Sequence, residues 1–327
     1  MVQHRACLVA LCLAIGGTPA AAASKTAAVG GWKPTEVPRE EPQPPVVADP
    51  IYGAFDEGKY QEAKTLAEAA AANGDGPANT LLGQMYEQGL GVPLDLGKAA
   101  EWYAKGAAAG DVHSLFSLGV MLAEGRGVKR DKKRAADFFE LAAAKNHAVA
   151  MYNLAIIYVE GFARPQDVAK AAELMEKAAN FDYAPAQYDL AAFYREGSGV
   201  PRDIAKAAFW LGKAAEAGLP NAELEYGLML FNGKGIPKNE KAGLDFIRRS
   251  AEKGNPVAQN RLARAYAYGA GVEPNIISAV KWHLLSREAG VTDFSLDQYL
   301  SRTTDDERAK AEKEAADWEQ SMAALLQ

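Results

Sequence analysis

Along residues 77–292 the pattern of large and small apolar positions recurs every 36 residues, six times and without a gap. One series runs Leu82, Leu118, Leu154, Leu190, Tyr226, Leu262, and the residue after each is small: Gly83, Gly119, Ala155, Ala191, Gly227, Ala263. Four residues on come Tyr86, Leu122, Tyr158, Tyr194, Leu230 and Tyr266. That spacing puts both large sets on one face of an amphipathic helix, helix A. Gly89, Gly125, Gly161, Gly197, Gly233 and Gly269 end it, because a glycine can turn left-handed there without a Cβ clash. A second glycine follows two residues later in five repeats (Gly91, Gly127, Gly199, Gly235, Gly271), usually before Val or Ile. The third repeat has Ala163 and then Arg164-Pro165, which predicts a different loop.

Helix B is announced by Asp95, Asp131, Asp167, Asp203, Asn239 and Asn275, whose side chains can accept from the first free backbone N–H groups of a helix. Behind each cap stands a small residue (Ala99, Ala135, Ala171, Ala207, Gly243, Ala279), and three further on a large one (Trp102, Phe138, Leu174, Trp210, Phe246, Trp282). Small and large positions interlock where helices cross closely, so each repeat predicts one tightly packed helical hairpin. The repeats are set at 77–112, 113–148, 149–184, 185–220, 221–256 and 257–292.

The repeat reads A-x-x-x-L-G-x-x-Y-x-x-G-x-G-V-P-x-D-x-x-K-A-A-x-W, best matched from Ala78 to Trp102 and again from Ala186 to Trp210. It resembles the Sel-1-like repeats, close relatives of tetratricopeptide repeats. Residues 51–76, with Ala54-Phe55-Asp56-Glu57-Gly58-Lys59-Tyr60 and Leu66, look like a degenerate tetratricopeptide hairpin before the array. After it, 293–327 read as capping helices: Thr304-Asp305-Asp306-Glu307 forms a capping box before a charged helix carrying Ala309, Ala316, Trp318 and Leu325. The resemblance implies an all-α, right-handed α-solenoid of stacked antiparallel hairpins, each touching only its neighbours. It also implies an adaptor without catalytic activity or cofactor, binding proteins and not nucleic acid.

By the same resemblance, a second stripe on helix A should line the concave face. Repeat two supplies Phe116, Val120 and Ala123, repeat three Tyr152, Ile156 and Val159, repeat four Tyr188, Ala192 and Arg195, and repeat five Leu224, Leu228 and Phe231. The outer repeats are more polar there (Thr80, Gln84, Glu87; Asn260, Arg264). An apolar patch rimmed by polar residues marks a partner site. The same side chains could instead pack between consecutive A helices. Tyrosines tilt the choice outward, since each hydroxyl needs water or a partner.

Composition adds little to the fold and more to the setting. Apolar residues make up 49% and charged ones 24%, a balance that buries a core and excludes a polytopic membrane protein. With 36 basic against 42 acidic residues the formal charge is −6, without a basic run to track nucleic acid. His4 and Arg5, the apolar stretch Ala6–Ile15 and Ala21-Ala22-Ala23 predict a secretory signal over 1–23, hence a periplasmic or secreted protein. Cleavage there removes both cysteines, Cys7 and Cys12, and with them disulfide and thiolate chemistry. A Pro-rich linker follows over 24–50.

Candidate chemistry is sparse. His113 and His147 stand at opposite ends of the second repeat and His283 in the sixth, without metal-ligand spacing. Ser250-Ala251-Glu252-Lys253 matches the S-x-x-K of penicillin-binding enzymes, but its partner motifs are missing and Ser250 falls at a small packing position. The sequence therefore reads as an envelope scaffold. Rival readings are a regulator of a sensor kinase, a polysaccharide assembly factor, and an enzyme acting on β-lactams or peptidoglycan fragments.

Overall fold

The computed structural model describes residues 50–325, which form sixteen helices and no strand. The signal, both cysteines and the linker as far as residue 49 lie outside the described residues. Six A helices, α3 (Gly76–Gln88), α5 (Val112–Glu124), α7 (Ala148–Glu160), α9 (Ala184–Glu196), α11 (Pro220–Asn232) and α13 (Pro256–Tyr268), alternate with six B helices. The latter are α4 (Leu96–Ala108), α6 (Lys132–Ala144), α8 (Val168–Asn180), α10 (Ile204–Glu216), α12 (Glu240–Glu252) and α14 (Ile276–Glu288). Each packs on the next in chain order, so the residues form a solenoid of stacked hairpins.

The loop inside each hairpin is fixed at both ends. All six predicted cap glycines are left-handed, with φ from 68° to 79°. All six predicted B caps accept from a first-turn N–H with the side chain. Their own N–H reaches back to a carbonyl of helix A, as from Asp95 to Tyr86 and from Asp131 to Leu122 (2.8–3.0 Å throughout). Cation and ring tie the two helices further: Lys98, Lys170 and Lys206 stand over Tyr86, Tyr158 and Tyr194, 4.5–5.5 Å from the ring centre.

Inside the hairpin the small A position meets a side chain that the sequence reading passed over. A Cβ on Gly83 would stand 2.6 Å from the Tyr103 ring, and one on Gly119 2.7 Å from Phe139. This B row continues as Met175, Leu211, Ile247 and His283, all buried. The Trp102 row lies one residue earlier: Phe246 meets Tyr226 of its own hairpin at 5.1 Å, and Trp282 meets Trp318 of α16 at 5.9 Å.

Between hairpins the second loop glycine sets the approach. A Cβ on Gly127 would lie 2.1 Å from the carbonyl oxygen of Leu96, the first residue of the preceding B helix, and one on Gly199 2.3 Å from that of Val168. Repeat three lacks this glycine and its loop departs as predicted. Arg164 replaces the usual Val or Ile and pairs with Asp137 and Glu140 of the preceding B helix. The turn from each B helix to the next A helix has a 36-residue period of its own: Gly110, Asn146, Asp182, Gly218, Gly254 and Gly290 all have positive φ. Asn and Asp are the non-glycine residues that tolerate this region best.

Ahead of the array stand α1 (Pro50–Asp56) and α2 (Tyr60–Ala72). α2 begins 36 residues before α4, and Tyr60 lies against Gly91 as the other B helices lie against their loop glycines. After the array come α15 (Phe294–Leu300) and α16 (Asp305–Leu325). The capping box forms, Thr304 N–H donating to Glu307 and Glu307 N–H to Thr304 Oγ1. Its buried stripe is Ala311 and Ala315 with half-buried Trp318, at helical spacing. Ala309 and Ala316 are exposed, because they lie two positions behind Ala311 and Trp318 and so turn to another face of the helix. None of the described helices is long and apolar enough to cross a membrane.

Two stability predictions follow from these contacts. Gly127→Ala should cost about 1–2 kcal/mol from the left-handed backbone alone, and more once the Leu96 clash is counted, read as the loss in urea unfolding free energy; an unchanged midpoint would show that the loop yields freely. His147 caps α7 through Nδ1, which accepts from Ala150 N–H at 3.1 Å. Burial, then the charge of nearby His113, lowers its pKa from 6.5 to about 4. The unfolded chain therefore takes up a proton first, and this contribution, complete above pH 6.5, is lost as pH falls toward 4. His147→Asn keeps a capping oxygen without the titration, so its stability should fall less than the wild type's across that window.

Candidate interaction surface

The predicted stripe occupies one face of the A helices in repeats two to five. Val120 and Leu224 are buried, 6% and 8% exposed, which corrects their assignment to an open groove: both pack into the core between hairpins. Phe116, Tyr152, Ile156, Val159, Tyr188, Leu228 and Phe231 are half-buried, and Arg195 is exposed. The row is thus partly inter-repeat packing and partly surface.

Its aromatic members lean on the start of the following A helix. Phe116 stacks on His147, ring centres 4.6 Å apart, and Tyr152 meets Tyr183 edge-on at 5.3 Å. The tyrosine hydroxyls, expected to seek water or a partner molecule, find carboxylates one repeat on. Tyr152 donates to Asp189 Oδ2 at 2.8 Å, and Tyr188 to Glu225 Oε1 at 2.6 Å. Arg195 donates to the other Glu225 oxygen at 2.6 Å. Burial and then the facing carboxylates push both tyrosines well above the usual phenol range, so both stay protonated as donors. Burial likewise raises the Asp189 carboxyl, against the lowering effect of the Tyr152 hydrogen bond.

The polar outer repeats complete the same ladder. Thr80 donates to Asp111, the N-cap of α5. At the other end Asn260 and Arg264 hold Asp293, the N-cap of α15. Burial alone would raise that carboxyl, but hydrogen bonds from Arg264, Asn260 and the Leu296 N–H bring its pKa down to about 2. These residues bind the neighbouring repeat.

Repeats four and five enclose a cleft of about 330 Å³ between α9, α10 and α11. Two predicted residues, Arg195 and Leu228, line it together with Ile204, Leu211 and Met229. Arg202 and Lys234 also line it and were missed by the stripe, because they sit in the loops and not on helix A. The available signal was the lysine inside Gly233-Lys234-Gly235.

Catalytic chemistry does not assemble at the weighed motif. Ser250 is fully buried and donates to the Pro220 carbonyl at 2.6 Å. Lys253 spends its ammonium on Glu223 and the Gly218 carbonyl. Among the described residues there is no cluster of three or more His, Cys, Asp or Glu able to hold a metal. His113 and His147 approach each other ring to ring at 5.6 Å, while His283 pairs with Asp297.

The described hairpins coincide with six matches to the Sel1 repeat model, at residues 76–111, 112–147, 148–180, 184–219, 220–255 and 256–291. The matches begin one residue ahead of the boundaries read from the sequence, and the third stops short at residue 180. None of the curated proteins compared with the chain matches it. Among solved structures, a Sel1 repeat protein from Oxalobacter formigenes is 29% identical, with a TM-score of 0.65 over 73% of this chain and 98% of its own. A protective antigen present in uropathogenic Escherichia coli strains, displaying an SLR fold, is 26% identical, with a TM-score of 0.53 over 84% of this chain and 70% of its own. With the repeat model matching well over half of its length, the chain belongs to the Sel1 repeat family.

Proposed function

We propose that the chain is a non-catalytic scaffold of the bacterial envelope that takes an extended or helical partner segment along the concave A-helix face of repeats two to five. Sel1 repeats generally mediate protein–protein interaction, and the coarse role rests on that. The finer reading rests on one observation: Phe116, Tyr152, Ile156, Val159, Tyr188, Leu228 and Phe231 stay half-open to solvent in a continuous row. The hydrogen-bonded ladder beneath holds that row rigid, so a partner meets a preformed surface and less entropy is lost on binding. An apolar anchor row of this kind suits groove recognition of a helix or strand. The envelope location follows from the leader-like start of the sequence, and the similarity to a protective antigen points the same way.

The test replaces Ile156 and Val159 together by Lys. Lysine stems can lie along apolar surface while their heads reach water, so the fold should hold. Cross-linking in envelope extracts, read by mass spectrometry, should show a partner with the wild type and lose it with the variant, at a melting temperature within a few degrees. Undiminished capture contradicts the site; unfolding assigns both side chains to the core.

A further inference from the structure

The cleft between α9, α10 and α11 stands at a hairpin that lacks the ring-and-glycine pair of the first two. In the first two hairpins a ring, Tyr103 or Phe139, fills the space against Gly83 or Gly119. In the fourth, Leu211 takes the place of the ring and Ala191 that of the glycine. The cleft has a floor of half-buried Ile204, Leu228 and Met229 over the buried Leu211.

Its mouth is charged one way. Arg195, Arg202 and Lys234 line it against a single carboxylate, Glu225, in a chain whose net charge is −6. Glu225 is saturated, one oxygen taken by Tyr188 and the other by Arg195. Arg195 also lies 3.9 Å from Glu196, which stands outside the cleft. Arg202 donates Nε to the Arg195 carbonyl at 3.1 Å, which anchors its guanidinium beside the opening. Arg202 and Lys234 are exposed, and neither is consumed by an ion pair among the described residues.

We propose that this cleft is the specificity pocket of the surface: it accepts one apolar side chain of an acidic partner segment, whose flanking carboxylates meet Arg202 and Lys234. This rests on the reading that the A-helix face takes a protein partner, and names that partner's chemistry. Apolar burial supplies the anchor, while the cations select against basic segments and speed encounter. The pocket is particular to one repeat pair. At the position of Lys234 the other repeats have Leu90, Arg126, Phe162, Ser198 and Ala270, and at that of Arg202 they have Leu94, Arg130, Gln166, Lys238 and Pro274.

The probe is a set of labelled synthetic peptides in which Leu, Phe or Trp is flanked on both sides by Asp or Glu, read by fluorescence anisotropy against the same set flanked by Lys. Wild type should bind the acidic set, about tenfold or more in preference to the basic one, with affinity falling as salt rises. Arg202→Glu with Lys234→Glu, both on exposed side chains that leave the core alone, should erase that preference. Ala191→Gly with Leu211→Phe rebuilds the Gly119–Phe139 pair in the fourth hairpin, and should remove the gain from Leu, Phe or Trp over Ala at the central position. Equal binding of acidic and basic sets, or both folded variants behaving as wild type, overturns the pocket. Capture of an envelope partner that depends on Ile156 and Val159 but not on these four residues overturns the pocket and leaves the scaffold standing. Acidic-peptide binding without any envelope partner does the reverse.

Discussion

Hairpin stacking in this chain depends on one close contact, the loop glycine that five of the six repeats set against the first residue of the preceding B helix. At Gly127 and Gly199 the space for a Cβ is already taken by a main-chain carbonyl, so the distance between hairpins is set by backbone and not by adaptable side chains. Because the contact recurs at a fixed interval, consecutive A helices arrive side by side in constant register. The ladder from Tyr152 to Asp189 and from Tyr188 to Glu225 is possible only because that register holds. Repeat three shows how the constraint can be met differently: Arg164 bridges the gap to Asp137 and Glu140 with charge where no glycine is present.

On the proposed reading, the A-helix face serves two ends with one set of residues. Rings at the Phe116, Tyr152 and Tyr188 positions bury one edge against the next repeat and leave the other in solvent. The hydroxyls of Tyr152 and Tyr188 are satisfied internally, which frees the exposed ring faces to be apolar contact area without an unpaired polar atom. Stability and recognition are coupled in such a row, and a substitution there acts on both. In the cleft of repeats four and five, Arg195 and Glu225 belong to the ladder, while Arg202 and Lys234 escape this coupling because they come from loops that carry none of it.

The helix boundaries were legible because their signals are local. Glycine after a helix and Asp or Asn before one act within a turn, and all twelve such positions do what their chemistry predicts. Contacts between repeats were less legible, since they join residues some 30 to 37 positions apart whose meeting depends on the stacking geometry. Tyr152 could not be matched with Asp189 from periodicity alone, and so its hydroxyl pointed the reading outward. The buried Tyr103 row was hidden by the more conspicuous Trp102 row beside it. Asn146 and Asp182 concealed the second turn, for they break the glycine pattern without breaking the conformation. Val120 and Leu224 lie deeper than their stripe-mates at equivalent positions, a difference that spacing on an ideal helix does not register.

The central claim is that the shared face of the A helices, and not the outer face of the B helices, is the working surface. Hydroxyl-radical footprinting of the chain, free and cross-linked to a captured partner, tests this residue by residue. The account predicts loss of reactivity at Tyr152, Tyr188, Leu228 and Phe231, with Leu141, Phe181 and Phe209, exposed on or at the end of B helices, unchanged. Protection of those three with the A-helix row still reactive would contradict it.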